Sequence, residues 1–197
     1  MKRFTSSSQQ KMSMHYKRGV PAKINDKFLM RKVDAAFISS IKARKYKYVN
    51  LGIVAKKEVL SVILIPQNDT ILDQESASSN ILANLLGLQG KVLIGDKALR
   101  YSLEGKKHID LAQVWNEKYN LPFVFALLCY HNHKKTLQKI EASFMHQKIY
   151  IPQYILKKEA QRTQISSSNI LKYLEHISYV VDTKARRGLK KFYTLSK

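Results

Sequence analysis

The longest apolar run of the chain is Leu-Pro-Phe-Val-Phe-Ala-Leu-Leu-Cys-Tyr, at residues 121–130. The run is too short to cross a bilayer as a helix, and its aromatic and aliphatic side chains predict a strand buried in the core. Four other runs of this kind predict strands at Val33–Ser40, Leu51–Ala55, Val59–Ile65 and Lys91–Asp96. A sheet therefore lies at the centre of the predicted fold.

Helical patterns alternate with these strands and continue after the last one. Pro21–Lys32 and Ser78–Leu86 have helical patterns, and Asp110 is expected to be the N-cap of a third helix. Four more patterns form a helical C-terminal tail, at His133–Gln147, Pro152–Thr163, Ser166–Tyr179 and Asp182–Leu195. Alternation of this kind predicts an α/β fold with a mostly parallel sheet, in which ligands bind at the carboxyl ends of the strands.

Length and composition exclude several classes of protein. The 197 residues suffice for one large domain or two small lobes, and an apolar share of 45 % is that of a globular protein. Cys129 is the only cysteine, which excludes a disulfide framework, and the segment Cys129–His133 fits no zinc-ligand spacing. Residues 1–20 lack the apolar stretch of a secretion signal. We expect a soluble cytoplasmic protein without a metal, a cofactor or a membrane partner.

The net charge of +21 is concentrated at the two ends of the chain. Residues 49–130 hold eight basic and eight acidic side chains, so the excess lies in residues 1–48 and 131–197. Basic surfaces bind nucleic acid in some proteins and attract small anions in others. The lysines are scattered through helical patterns, which favours a general contribution to solubility for most of them. Nucleic-acid binding is therefore the least favoured function.

Two of the predicted strands are interpreted as connectors between lobes. Val59–Ile65 leads into the neutral middle of the chain, and Leu121–Tyr130 leads out of it. A central insert joined by two extended crossings is the layout of a hinged ligand-binding protein. This interpretation divides the chain into a discontinuous lobe 1, residues 1–61 and 123–197, and a lobe 2, residues 62–122.

Polar residues at two predicted helix starts are candidates for ligand binding. In Glu75-Ser76-Ala77-Ser78-Ser79-Asn80, the hydroxyls either cap free backbone N–H groups or help these groups to bind a carboxylate. Capping alone is the commoner role. In Ile94-Gly95-Asp96, Asp96 is either the N-cap of the next helix or a cleft residue, and Gly95 allows a ligand to approach the backbone.

Serines in two predicted strands are further candidates. Ser39 and Ser40 end a buried strand, where they contact a ligand or belong to an ordinary loop. Ser61 lies inside the predicted strand Val59–Ile65, so its hydroxyl needs a hydrogen-bond partner, either a backbone carbonyl or a substrate oxygen. The chain contains no Gly-x-Ser-x-Gly elbow, phosphate loop or dinucleotide-binding glycine motif.

Taken in order, five blocks of sequence resemble the MqnA family, the chorismate dehydratases of the futalosine route to menaquinone. No single block is specific, but the ordered set spans roughly residues 16–130. The blocks are Lys32–Ser40, Leu51–Ile53 with Val59–Val62, Ser76–Ser79, Ile94–Leu99, and Asp110–Trp115 followed by Leu121–Ala126.

The resemblance implies a two-lobed fold like that of the type II periplasmic solute-binding proteins, with mixed sheets and a ligand cleft between the lobes. It implies a hydro-lyase that converts chorismate to 3-[(1-carboxyvinyl)oxy]benzoate and water. It places Ser61 at the reacting centre, and around the substrate it places Ser39, Ser40, Ser76, Ser78, Ser79, Gly95 and Asp96. The alternative is a protein of the same fold that binds a small anion without reacting with it.

One feature of the family has no counterpart in this sequence. Members of the family begin with a strand and an Asn-x-x-Pro-like motif whose asparagine is important for catalysis. This chain begins Met1-Lys2-Arg3-Phe4, which is predicted to lie within the first helix. Loss of a central strand would leave a neighbouring strand with an unpaired edge. Either the natural start of the protein lies upstream of Met1, or this chain lacks a sheet strand and a catalytic residue. The first alternative is favoured, because it avoids that unpaired edge.

Overall fold

The computed structural model of the chain describes residues 19–146 and 150–197, which form a mixed α/β fold. The strands in these ranges are β1 Ala35–Ser39, β2 Lys47–Ala55, β3 Val62–Pro66, β4 Gly90–Ile94, β5 Ile109–Asp110, β6 Phe123–Tyr130 and β7 Ile177–Val180. The helices are α1 Pro21–Leu29, α2 Ser40–Ala43, α3 Ala77–Leu85, α4 Gly95–Leu103, α5 Leu111–Tyr119, α6 Lys134–His146, α7 Gln153–Thr163, α8 Ser167–Glu175 and α9 Thr183–Leu195. Two predicted helical stretches, at Met1–Phe4 and at Gln147, lie outside the described residues.

The first sheet has the strand order β1-β6-β2-β7, and every neighbouring pair in it is antiparallel. Its interior strand β6 is the apolar run from which the fold was predicted, and Leu127 in this strand is fully buried. The register pairs Ser39 with Ala126 and Ala55 with Phe123. The carboxyl ends of β1 and β2 therefore lie toward the same edge of this sheet.

The second sheet has the strand order β4-β3-β5, and both of its pairs are antiparallel. The register pairs Val62 with Ile94 and Ile63 with Asp110, so the start of β3 and the ends of β4 and β5 lie at one edge. Helix α3 packs on β4 and ends shortly before that strand begins. The first turn of α3 therefore lies toward the same edge.

The prediction of a mostly parallel sheet is wrong. β1 and β2 run in the same direction and are joined through the short helix α2, which the sequence patterns did not predict. However, β6 lies between them and is antiparallel to both, and β3 lies in the same way between β4 and β5. The resemblance implies mixed sheets, but all pairs between the named strands of the described residues are antiparallel, and β4 has a parallel contact only in an isolated bridge between Lys91 and Ile71. The local sequence pattern of two successive strands cannot show that a strand from another part of the chain lies between them.

Several strand boundaries differ from the predicted ones. Ser61 precedes β3 rather than lying inside it, since Leu60 has a left-handed φ of 61° that interrupts the extended chain. Ser40 begins the four-residue helix α2 rather than ending β1. Gly95 and Asp96 begin α4 rather than ending β4. In each case a candidate residue lies at the junction between two elements.

The C-terminal tail is not wholly helical. The helix predicted over Ser166–Tyr179 ends at Glu175, and Ile177–Val180 forms β7. This strand pairs Ser178 with Val54 and Val180 with Leu51, so it supplies partners for the backbone groups along the free side of β2. The gain from pairing an otherwise open strand outweighs the local helical pattern.

The largest apolar cluster joins residues of both sheets to the last helix. Trp115 of α5, Phe123 of β6 and Phe192 of α9 are each at most 1 % exposed, and the ring centroid of Phe123 lies 5.2 Å from that of Trp115 and 4.9 Å from that of Phe192. Aromatic side chains contribute strongly to a core because each buries a large area. Within the described ranges, none of the helices combines the length and apolar character that a membrane crossing requires.

Candidate functional site

The predicted site residues lie at the edge of the second sheet and at the end of β1. Ser61 precedes β3, Gly95 follows β4, and Ser78 lies in the first turn of α3, so all three are at the edge where β4 and β5 end. Ser39 and Ser40 lie at the carboxyl end of β1. The fold thus brings polar groups from distant parts of the chain to one region.

Ser40 and Ser78 form a direct contact between the two sheet regions. Their Oγ atoms lie 3.0 Å apart, and the backbone N–H of Ile41 donates a 3.2 Å hydrogen bond to Ser78 Oγ. Both serines are at most 1 % exposed. We call this contact the Ser40–Ser78 pair; it joins the start of α2 to the start of α3.

Ser76 caps α3 as the commoner interpretation predicts, and Ser79 in the first turn supplies the N–H that is capped. Ser76 is the N-cap, and its Oγ accepts a 3.3 Å hydrogen bond from the backbone N–H of Ser79. The same hydroxyl donates to Ser79 Oγ at 2.6 Å. Both hydroxyls are buried and have partners in this structure.

Ser39 is held by Asn25, a residue that sequence reasoning missed. The Asn25 side chain donates through Nδ2 to Ser39 Oγ at 2.9 Å and accepts from the Ser39 backbone N–H at 3.0 Å. Asn25 is only 1 % exposed. The sequence held one indication that Asn25 is buried: it precedes Phe28 by three residues and so lies on the same face of α1. A polar residue at a buried helical position requires a partner of this kind.

Ser61 bonds to Tyr173, which sequence reasoning also missed. The Ser61 Oγ and the Tyr173 hydroxyl lie 2.9 Å apart, and Ser61 is 6 % exposed. Burial raises the pKa of the Tyr173 phenol above its usual range, while the bond to Ser61 acts in the opposite direction. The partner is therefore neither of the two expected from the sequence, a backbone carbonyl or a substrate oxygen. We call this contact the Ser61–Tyr173 pair.

Gly95 and Asp96 lie beside the Ser61–Tyr173 pair. The Gly95 backbone N–H donates a 2.8 Å hydrogen bond to the carbonyl of Ser61. Gly95 has a φ of +68°, a conformation that favours glycine, and its missing side chain would meet open space. Asp96 is not the N-cap: Ile94 occupies that position, and the Asp96 carboxylate instead forms a 2.8 Å ion pair with Arg162 of α7.

Asp110 is the N-cap of α5, as predicted, and it also holds the crossing between the sheets. Its Oδ1 accepts from the backbone N–H groups of Ala112 and Gln113. Its Oδ2 accepts from Val59 and Leu60 at 2.9 and 2.7 Å. Burial raises the pKa of this carboxyl, and the four N–H donors oppose that shift. The segment immediately before Ser61 is therefore fixed to the second sheet.

The two serine pairs are not joined in this structure. Within the described ranges, no hydrogen bond connects the Ser40–Ser78 pair to the Ser61–Tyr173 pair. Two cavities of about 510 and 480 Å³ open elsewhere, the first behind α3 beside Leu64 and Asn80, and the second beside Glu58 and His176. The described residues also include no group of three histidine, cysteine or acidic side chains arranged to hold a metal ion.

The arrangement defines a class of protein: an α/β protein with two antiparallel sheets and buried hydroxyl groups where the sheet regions meet. Hydroxyls of this kind donate hydrogen bonds to, and accept them from, a polar ligand. A fold of this class is known, since the crystal structure of protein AF1704 from Archaeoglobus fulgidus superposes with a TM-score of 0.62 over 93 % of this chain and 85 % of that chain. The sequence identity to it is 14 %, so the likeness concerns the fold.

Sequence comparison gives the family. A family model described as menaquinone biosynthesis matches residues 85–197. A chorismate dehydratase of Campylobacter jejuni is 41 % identical over 196 residues, which cover 98 % of this chain and 88 % of that protein. The chain belongs to the chorismate dehydratase family of menaquinone biosynthesis, as the five blocks of sequence predicted.

Proposed function

We propose that this protein is a chorismate dehydratase, a hydro-lyase that converts chorismate to 3-[(1-carboxyvinyl)oxy]benzoate and water on the futalosine route to menaquinone. The observation that carries this conclusion is the 41 % identity to a chorismate dehydratase along nearly the whole chain. We further propose that the reaction takes place in the cytoplasm.

The proposed fold has two lobes with the substrate between them. Lobe 1 comprises residues 1–61 and 123–197, and lobe 2 comprises residues 62–122. The division is supported by the strands of the second sheet, which all lie between Val62 and Asp110, and by those of the first sheet, which all lie outside that range. In this layout Asp110 fixes one of the two crossings, through the backbone of Val59 and Leu60.

The burial of the site serines supports a closed state of such a cleft. Ser39, Ser40, Ser61, Ser76, Ser78 and Ser79 are each at most 8 % exposed. Their hydroxyls bond to other groups of the protein, so a substrate must replace some of these bonds. A rotation of one lobe against the other would separate Ser40 from Ser78 and admit the substrate between them.

The start of α3 is the proposed site for a substrate carboxylate. Ser78 and Ser79 lie in its first turn, where backbone N–H groups and the helix dipole favour a negative charge. In the bound state the carboxylate would replace Ser40 as a partner of Ser78. Ser39 and Ser40 then line the opposite wall, and Gly95 and Asp96 lie beside the reacting centre.

The reaction requires two bond cleavages at neighbouring ring carbons. One C–H bond breaks and its electrons complete the aromatic ring, while the C–O bond of the adjacent carbon breaks. The departing hydroxide takes up the proton that the ring carbon has lost, by way of the group that accepted it, and leaves as water. We propose that Ser61 donates a hydrogen bond to this departing oxygen and that a carboxylate of the substrate accepts the ring proton. Asp96 is already paired with Arg162 and is not assigned this role.

Incubation with chorismate tests the proposed function. The purified protein is expected to form an aromatic product with the mass of chorismate less one water. Ser61→Ala is expected to lower kcat by about 10²-fold, the effect of removing one hydrogen-bond donor to developing charge. Ser168→Ala, which removes an exposed tail serine, is the matched control. Full turnover by Ser61→Ala would refute the role of Ser61.

The same incubation tests the alternative function. A protein that binds a small anion without reacting with it would return chorismate unchanged, even where calorimetry detects binding. Product formation therefore decides between an enzyme and a binding protein of the same fold.

A further inference from the structure

We propose that Tyr173 is a positioning residue for Ser61, so that the C-terminal tail completes the active site. This inference rests on the proposed function, because it concerns the same reacting centre. Tyr173 belongs to α8 and follows Ser61 by 112 residues in the sequence. Its hydroxyl nevertheless lies 2.9 Å from Ser61 Oγ.

The backbone of Ser61 is already fixed on both sides. Its N–H donates a 2.7 Å hydrogen bond to the carbonyl of Val59, and its carbonyl accepts the 2.8 Å bond from Gly95. The remaining freedom at this residue is rotation of the side chain and of the hydroxyl hydrogen. Tyr173 is the described group that bonds to that hydroxyl, so it selects the direction in which Ser61 points.

The tail is tied to the second sheet at two further points. Arg162 of α7 forms the ion pair with Asp96, and Arg100 of α4 donates a 2.8 Å hydrogen bond through Nη1 to the carbonyl of Thr163. These contacts lie just before α8 in the chain. The segment that leads into α8 is therefore anchored to α4 by two contacts besides the bond between Tyr173 and Ser61.

The chemistry of the pair suits orientation rather than proton removal. Burial raises the pKa of Tyr173, so the phenol stays protonated at neutral pH. A phenol O–H that donates to Ser61 Oγ leaves the Ser61 O–H free to donate to the departing oxygen of the substrate. Hydrogen bonds in such a chain strengthen one another, and no net proton transfer to tyrosine is needed.

Tyr173→Phe tests the proposal, because it removes the hydroxyl and keeps the ring. We expect kcat to fall by about five- to tenfold, the effect of losing one neutral hydrogen bond, with KM changed less than twofold. Tyr119→Phe is the matched control, since Tyr119 is a half-buried tyrosine whose ring packs on Trp115. A kcat for Tyr173→Phe within twofold of that control would overturn the proposal.

A stability cycle supplies a readout that does not depend on turnover. Urea unfolding is measured for wild type, Tyr173→Phe, Ser61→Ala and the double variant. Tyr173→Phe is expected to lower the unfolding midpoint in wild type and to have at most half that effect in the Ser61→Ala background. Equal effects in both backgrounds would mean that the two hydroxyls do not act together, and would also overturn the proposal.

The two experiments separate this inference from the proposed function. Loss of activity in Ser61→Ala with full activity in Tyr173→Phe would remove only the role of Tyr173. Full activity in Ser61→Ala, or absence of the aromatic product with wild type, would instead contradict the proposed function.

Discussion

The hydroxyl of Tyr193 donates a 2.8 Å hydrogen bond to the backbone carbonyl of Ser40, 153 residues earlier in the chain. Burial raises the pKa of Tyr193, so the phenol remains a neutral donor. Ser40 in turn pairs with Ser78 through its side chain. The last helix thus holds the residue at which the two sheet regions meet.

Removal of this hydroxyl tests the importance of that contact. Tyr193→Phe is expected to destabilise the protein by about 1–2 kcal/mol, because the buried carbonyl of Ser40 loses its phenol donor. Urea unfolding followed by circular dichroism measures the change. Tyr154→Phe, at a tyrosine that is 72 % exposed, should have no measurable effect. Equal stabilities of Tyr193→Phe and Tyr154→Phe would contradict this assignment.

Replacing Gly188 in α9 by alanine is expected to lower stability, although helix propensity alone predicts an increase. A Cβ at this position would lie 2.1 Å from the carbonyl oxygen of Pro122, so the helix could not keep its place against the chain before β6. Propensity alone favours alanine over glycine by about 1 kcal/mol. We expect Gly188→Ala to lower stability by roughly 2 kcal/mol or more, in a thermal or urea unfolding experiment.

The control for this substitution is Lys190→Ala, at an exposed position of the same helix. Its stability is expected to stay within about 0.5 kcal/mol of wild type. Stabilisation by Gly188→Ala would mean that α9 does not approach Pro122 as closely as described.

Asp110 gives a prediction that depends on pH. Its carboxyl pKa is raised by burial above the ordinary value of 3.8, so the folded state binds the proton more tightly than the unfolded state does. The contribution of such a group to stability is largest at acid pH and falls as the pH rises through the folded pKa. Asp110→Asn removes this titration and replaces an oxygen that accepts two backbone N–H groups. We expect a loss of about 2–4 kcal/mol, larger near pH 4 than near pH 7.

Urea unfolding of wild type and Asp110→Asn at both pH values measures this difference. Asp69→Asn, at an exposed carboxylate, controls for the change in net charge. A loss that grew with pH would show that the folded state instead lowers the pKa of Asp110.

The positive charge gives a prediction for the kinetics. The net charge of +21 creates a field that attracts a doubly negative substrate, and salt screens such a field. Raising the salt concentration from about 0.02 M to about 0.2 M should lower kcat/KM by roughly two- to fivefold and leave kcat nearly unchanged. Stopped assays at saturating and at low chorismate concentrations separate the two constants. An unchanged kcat/KM would mean that the charge serves solubility alone.

Local patterns were sufficient to predict most strands but not their partners. β6 was predicted as a buried strand from its apolar run, since burial and length are local properties. Its position between β1 and β2 depends on contacts across about half the chain, which no local pattern records. β7 was missed for the same reason, because only pairing with β2 distinguishes Ile177–Val180 from a continued helix.

The candidate site was predictable where a residue type has a local meaning. Asp110 before an apolar helix is a cap by its chemistry, and the structure confirms it. Tyr173 and Tyr193 each act through one hydrogen bond to a serine more than a hundred residues away, so no local pattern singles them out. Asn25 makes two hydrogen bonds to Ser39, and only its place on the buried face of α1 hints at this role. From the sequence, Asp96 was either an N-cap or a cleft residue. The structure excludes the N-cap, because Ile94 takes that position and Asp96 pairs with Arg162.

The central proposal is that both serine pairs act on one substrate molecule. A crystal structure of the protein with 3-[(1-carboxyvinyl)oxy]benzoate bound tests it most directly. We expect Ser61 Oγ and Ser78 Oγ to lie within hydrogen-bond distance, about 3.2 Å, of the same bound molecule, with Ser40 displaced from Ser78. A product molecule bound in the cavity beside Leu64 and Asn80, or in contact with only one serine pair, would contradict the proposal.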